Sequence, residues 1–213
     1  MLTIVNHTPV SPDPRLEALL ENGDGLLDRA TLDAHRVHPR ILASWLATGR
    51  LRRIRRGLYQ APDHFTTHQD LLEAWMAAPY SVVCLISALV FHNLGTQVPG
   101  RVYLAVNRTH RAPELDYPPL EVHHFPPTIF GYGVQHHLIG QRQVPIYSPE
   151  KTLADLLRYE RFTGRDVFLE GLQHYLRGQE RDLKLLMDAA KVCKVEGRMG
   201  IYVEALVNDS WGS

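Results

Sequence analysis

The stretch Arg50-Leu51-Arg52-Arg53-Ile54-Arg55-Arg56-Gly57-Leu58-Tyr59-Gln60 decides how the first part of this 213-residue chain is read. Leu51 to Ile54 has the pattern of a strand and Leu58 to Gln60 that of its antiparallel return. Gly57 supplies the positive φ that a tight or bulged hairpin needs. Five arginines in seven residues repel one another, and no acid interleaves to offset that cost. The run is therefore expected to face a polyanion rather than water alone. Around it, Ala34 to Pro62 holds seven arginines and no Asp or Glu, in a chain with 23 Lys and Arg against 23 Asp and Glu. Residues 1 to 33 carry two arginines against six acids, and residues 63 to 213 carry fourteen Lys and Arg against seventeen Asp and Glu. The net charge of zero conceals a local cationic surface.

Upstream of the run, Pro14 to Asn22 has leucines at 16, 19 and 20 on one helical face, with Gly23 placed to end the helix. Asp28 is the expected N-cap of a second helix ending near His35, and Leu27 and Leu32 have the spacing of a hydrophobic staple. His38-Pro39 opens a third helix, with proline at its first position, Val37 and Leu42 repeating the staple, and an end near Thr48 before Gly49. In that helix Ile41, Leu42, Trp45 and Leu46 share a face, so Trp45 is read as core. Arg40, Ala43, Ser44 and Ala47 point outward. Three short helices followed by an arginine-rich hairpin are the layout of a winged helix-turn-helix, which predicts duplex DNA as partner. Arg40 and Ser44 are the candidates for base edges. Arg52, Arg53, Arg55 and Arg56 are the candidates for phosphates, and Arg36, His38 and Arg50 complete the DNA-binding set.

Pro62-Asp63-His64 ends this region, so one domain is expected over 1–63 and a second over 64–213. The stretch His68 to Ala78 reads as a helix stopped by Pro79, and the apolar run Ser81 to Phe91 is read as a buried helix. Alternating runs at Arg101–Val106, Leu120–Phe125, Val134–Ile139 and Gln143–Tyr147 predict a sheet of about four strands. Ser148-Pro149-Glu150 is a helix start, with Ser148 as N-cap and Leu153, Leu156 and Leu157 inward. Further helices are expected over Arg165–Leu176, Glu180–Cys193 and Met199–Val207. The fold class is α+β, an amino-terminal winged helix followed by a larger mixed domain with carboxyl-terminal helices.

At 45% hydrophobic and 22% charged residues, the composition is that of a globular protein. Met1 to Val10 lacks the basic flank and apolar stretch of a signal peptide, and no run reaches transmembrane length. A cytoplasmic location without membrane association is expected. Cys84 and Cys193 have neither zinc nor disulfide spacing and are read as reduced thiols, Cys84 in the core.

The segments Arg56-Gly57-Leu58-Tyr59, Cys84-Leu85-Ile86-Ser87-Ala88-Leu89 with His92-Asn93-Leu94, and Ile146-Tyr147-Ser148-Pro149-Glu150-Lys151-Thr152-Leu153-Ala154-Asp155-Leu156 resemble the AbiEi antitoxin family of bacterial toxin-antitoxin systems. The last is the most specific, because that family typically starts a helix with a Ser-Pro-Glu-Lys-Thr motif. The resemblance implies an autorepressor of its own operon, acting at an operator of inverted repeats. It also implies a second domain that opposes a nucleotidyltransferase-like toxin, in a system of abortive phage defence. An orphan winged-helix regulator of the same architecture is the alternative the resemblance leaves open.

His123-His124 and His136-His137 lie on strands, where neighbouring side chains point to opposite faces, so neither pair chelates as a unit. One histidine from each pair would make a mixed metal site. Glu150, Lys151 and Asp155 resemble the acid and lysine set of a metal-dependent nuclease, but Asp155 lies five residues from Glu150, off its face. Capping and surface charge, with Lys151, Asp155 and Arg158 on one solvated or partner-facing side, is the expected role. No phosphate-binding glycine loop or serine nucleophile turn occurs. The expectation is a non-enzymatic protein with no catalytic residues, metal or cofactor.

Overall fold

The computed structural model describes residues 13–23, 25–62, 66–110, 115 and 117–209. Met1 to Val10 and the expected domain boundary at 63 and 64 lie outside those residues. The chain divides into two compact units, the first ending at Thr67 and the second beginning at His68. The architecture is mixed α and β, with one sheet in each unit.

In the first unit, α1 (Pro14–Glu21) is capped by Asp13, whose carboxylate accepts from the Arg15 amide at 3.0 Å. Gly23 closes the turn after it, because a Cβ there would stand 2.5 Å from the Leu26 carbonyl oxygen. A strand that the sequence did not announce follows, β1 (Leu26–Asp28). Three residues are too few to display a period, and its existence depends on pairing with a segment some thirty residues later. Asp28 ends β1 and caps α2 (Arg29–Ala34), accepting from the Thr31 amide at 2.7 Å. Then come α3 (Pro39–Ala47), β2 (Arg52–Arg55) and β3 (Leu58–Gln60). The antiparallel sheet has order β1-β3-β2. Leu16, Leu20, Leu27, Leu32, Trp45, Leu51 and Tyr59 form its core.

The second unit opens with α4 (Gln69–Ala77) and β4 (Val82–Val83), then α5 (Leu85–Phe91). The apolar run read as one helix is thus a short strand turning into a helix. Burial on all sides masks both periods, so the pattern could not separate them. Next are β5 (Val102–Asn107), β6 (Leu120–Phe125), the one-turn α6 (Pro127–Phe130), β7 (Val134–Ile139) and β8 (Arg142–Tyr147). With β4 included, the sheet has five strands rather than about four, in the order β6-β5-β4-β8-β7. The β4–β8 and β5–β6 pairs are parallel, and β4–β5 and β7–β8 antiparallel. The helices α7 (Pro149–Arg158), α8 (Glu160–Thr163), α9 (Arg165–Arg177), α10 (Leu183–Val192) and α11 (Glu196–Asp209) complete the unit.

Helix α7 is the centre of this unit. Every residue from Glu150 to Leu157 is buried. Ser148 caps it, its hydroxyl accepting from the Lys151 amide at 3.3 Å. The solvated or partner-facing reading of Lys151 and Asp155 is therefore corrected, for both side chains are fully buried and ion-paired to each other. The four-residue spacing that puts them on one face also lets each neutralise the other, which makes burial tolerable. Asp155 also accepts from the Cys193 thiol at 3.3 Å, and Lys151 Nζ sits 4.2 Å from the centre of the Tyr147 ring. Gly133 holds φ +69°, and a Cβ there would stand 2.7 Å from the Lys151 Cβ, so the turn before β7 closes directly over the lysine. Arg158 does reach the surface, donating to the Cys193 carbonyl at 2.7 Å.

Candidate nucleic-acid interface

The candidate residues of the first unit sit on two adjoining pieces, α3 with its approach and the β2–β3 hairpin. Helix α2 ends in a Schellman turn: the Arg36 amide donates to the Asp33 carbonyl at 3.1 Å and the Val37 amide to Leu32 at 2.9 Å. Arg36 occupies the left-handed position of that turn, φ +51°, where glycine is the residue of least cost. Its side chain is exposed. His38 then caps α3, its Nδ1 accepting from the Arg40 amide at 3.2 Å, so this imidazole helps hold the helix start. Trp45 is 3% exposed and anchors the inner face of α3 as expected. Arg40, Ala43 and Ala47 are exposed, and Ser44 is half-buried.

The hairpin departs from simple alternation. Register shifts between Arg53 and Arg55, where Arg53 pairs with Tyr59 and Arg55 with Leu58. Leu51 and Ile54 face inward, at 2% and 4% exposure, and Arg52 and Arg53 are both exposed. Arg52 and Arg53 pair in regular register with Gln60 and Tyr59, and both are exposed on this edge strand, whereas alternation over a covered sheet would have buried one of them. Arg56 and Gly57 form the turn, with Gly57 at φ +83°. Arg55 is half-buried and donates to the Arg56 carbonyl at 3.4 Å.

Arg50 behaves differently from the rest. Its guanidinium lies 5.3 Å from the centre of the Trp45 ring and 3.6 Å from the Glu17 carboxylate, so part of its role is to fasten α1 and α3 together. Residue spacing gives no sign of the Glu17 contact, which joins positions more than thirty apart. Among the described residues, Arg36, Arg40, Arg53 and Arg56 carry no ion pair to an acid.

The chain is similar to the Rv2827c protein of Mycobacterium tuberculosis. The crystal structure of that protein matches with a TM-score of 0.53, covering 86% of this chain and 76% of that one at 15% identity. At such identity the likeness is one of fold. No protein-family model matches the chain, and no curated protein does.

The metal candidates separate in space. His123 and His124 lie on β6 and His136 and His137 on β7, the two opposite edges of the five-stranded sheet. Four strand spacings of about 4.8 Å divide them, which removes the mixed site. Among the described residues no three His, Cys, Asp or Glu side chains converge to hold a metal ion. His123 instead packs against Tyr103 at 6.1 Å and Tyr159 at 5.7 Å between ring centres, and burial pushes its imidazole below the ordinary value. Glu150 accepts from the Tyr175 hydroxyl at 2.8 Å, while Lys151 and Asp155 are sealed from substrate. No helix among the described residues is long and apolar enough to cross a membrane.

Proposed function

We propose that this protein is a DNA-binding transcriptional autorepressor and the antitoxin of an AbiE-like system, opposing a nucleotidyltransferase-like toxin. The observation that carries the DNA-binding half is the bulged hairpin that follows α3 directly and presents Arg52, Arg53 and Arg56 outward. In this reading the first unit is a winged helix-turn-helix, with α3 entering the major groove. The small outward residues Ala43 and Ala47 let it approach closely. Arg40 and Ser44 face base edges, the hairpin arginines hold phosphates as a wing, and Arg36 and His38 meet the backbone at the helix entrance. A left-handed arginine in place of glycine supports a role for the Arg36 side chain outside the fold.

The antitoxin half rests on the resemblance of the second unit's motifs, chiefly Ser148 to Leu156. Fluorescence anisotropy with the DNA upstream of the protein's own gene tests the first half. Specific binding to an inverted repeat is expected, with affinity falling at a log-log salt slope of about −4 to −5 if some five phosphates are neutralised. Binding without preference over unrelated duplex would remove the repressor reading. Co-expression with the product of the adjacent gene tests the second half: restored growth of cells arrested by a nucleotidyltransferase-like neighbour is expected. A harmless neighbour would leave a regulator without an antitoxin role.

A further inference from the structure

Two segments of the second unit that DNA contact does not use meet at one cleft. His92 and Leu94 follow α5, Pro149 and Glu150 open α7, and all four line a cavity of about 570 Å³. Strand β7 adds Gln135 and His137 to the same wall, and the segment between α9 and α10 adds Glu180 and Arg181 at the other side.

The polar groups there include the carboxylates of Glu150 and Glu180 and the imidazoles of His92, His137 and His174. His92 Nε2 lies 2.7 Å from the Tyr147 carbonyl oxygen. A carbonyl can only accept, so Nε2 carries the proton and Nδ1 keeps its lone pair. The His137 ring centre is 5.6 Å from that of His92, and its buried Nε2 has no hydrogen-bond partner among the described residues. Burial lowers the basicity of both imidazoles, and a neutral imidazole keeps one ring nitrogen as an acceptor. Glu150 adds a carboxylate, 9% exposed, with one oxygen already taking the Tyr175 hydroxyl. That hydroxyl in turn accepts from the Asp182 amide at 2.7 Å, so it has little left to offer a ligand. Arg181 folds back to donate to the Gly178 carbonyl at 3.0 Å. The cleft therefore sets two carboxylates against one guanidinium, one of whose N–H groups is taken by Gly178, with three imidazoles, those of His92, His137 and His174, along its wall. An anionic ligand would meet Glu150 and Glu180.

We propose that this cleft binds a protonated amine or guanidinium group, with Glu150 as its charge partner and His92 and His137 as flanking acceptors. The group comes either from a small free amine or from a lysine or arginine side chain of a partner protein. This site is independent of the first unit's DNA contacts.

Calorimetric titration of the full chain tests it, with agmatine, spermidine, an acetylated Gly-Arg-Gly amide peptide and inorganic phosphate as probes. Saturable binding of at least one cationic probe is expected, with none of phosphate. Glu150→Gln should weaken that binding by at least about tenfold, the loss of one charge-assisted hydrogen bond. Glu204→Gln, at an exposed carboxylate on α11, should leave it unchanged. Because Glu150→Gln also alters the partner of the Tyr175 hydroxyl, Gln135→Arg provides a second variant. It places a guanidinium at the cleft from an exposed strand position and should compete with the probe. Binding of the free amines assigns a small ligand, and binding of the peptide alone assigns a partner's side chain. No saturable cation binding, preference for phosphate, or undiminished binding in both cleft variants would overturn the proposal.

Discussion

The β2–β3 hairpin and helix α7 are both built around charged side chains, and the two regions treat charge in opposite ways. In the hairpin, Arg52, Arg53 and Arg56 are exposed, in a sequence run that holds no acid. In α7, Lys151 and Asp155 are enclosed completely and neutralise each other. Repulsion among exposed arginines is a small cost in water at physiological salt, and a polyanion reverses its sign. An unpaired charge inside the second unit has no such remedy, so there the partner must belong to the chain. The first arrangement is suited to binding and the second to a unique fold.

Breaking the buried pair should have the largest effect. Lys151→Met leaves the Asp155 carboxylate alone in the core, and the second unit should lose about 3–5 kcal/mol in urea unfolding. The double variant Lys151→Met with Asp155→Leu should recover most of it, since apolar residues of similar volume need no partner. A single-variant loss below about 1 kcal/mol would show that the pair does not hold the helix in place.

The hairpin should respond in the reverse sense. Arg53→Ala with Arg56→Ala should leave stability within about 0.5 kcal/mol, both side chains being exposed. Operator affinity should fall, and the salt slope should flatten by up to about two units. Unchanged affinity and slope would remove the wing from the DNA contact.

The elements bounded by local chemistry were legible in the sequence. Asp28, Pro39 and Ser148 each mark a helix start within one residue of where it occurs, because a cap or a first-turn proline acts on its immediate neighbours. The turn at Gly57 was legible for the same reason. What stayed hidden depends on distant partners. Strand β1 exists through β3, β4 through β5 and β8, and the burial of Lys151 through the Phe125 and Tyr147 rings and the turn at Gly133. The direction of the hairpin arginines was legible only in part, since alternation alone places either Arg52 or Arg53 inward, and β2 is an edge strand on which both are exposed. Of the cleft, the sequence singled out His92 and Glu150 separately, and nothing in their spacing of 58 residues said that they meet.

A smaller effect concerns the histidines beside α7. His92 titrates below its ordinary value of 6.5, chiefly through burial, with the Tyr147 carbonyl opposing the shift. A base whose folded pKa lies below its unfolded one gives stability that is complete above the unfolded value and lost as pH falls through the folded value. Calorimetry between about pH 7 and pH 5 should show the second unit weakening as the solution is acidified. His92→Gln keeps an N–H donor for the Tyr147 carbonyl and removes the titration, so its decline should be shallower. An equal decline would assign the effect to other groups.

Fold and binding can be separated at a single residue. Arg36 stands in the left-handed position of the turn that ends α2. A non-glycine residue there costs roughly 1 kcal/mol, part of which glycine gives back through its freer unfolded chain. Arg36→Gly should therefore raise the stability of the first unit by about 0.5 kcal/mol or somewhat more, while operator binding weakens and the salt slope falls by about one unit. Those two changes have opposite signs, so no general loosening of the unit can produce both. Raised stability with unaltered affinity would place Arg36 outside the DNA-binding set and leave its conformation without a functional reason. Lowered stability would mean that the arginine side chain supports the turn itself, and Arg36 would then belong with Arg50 among the residues that hold the unit together.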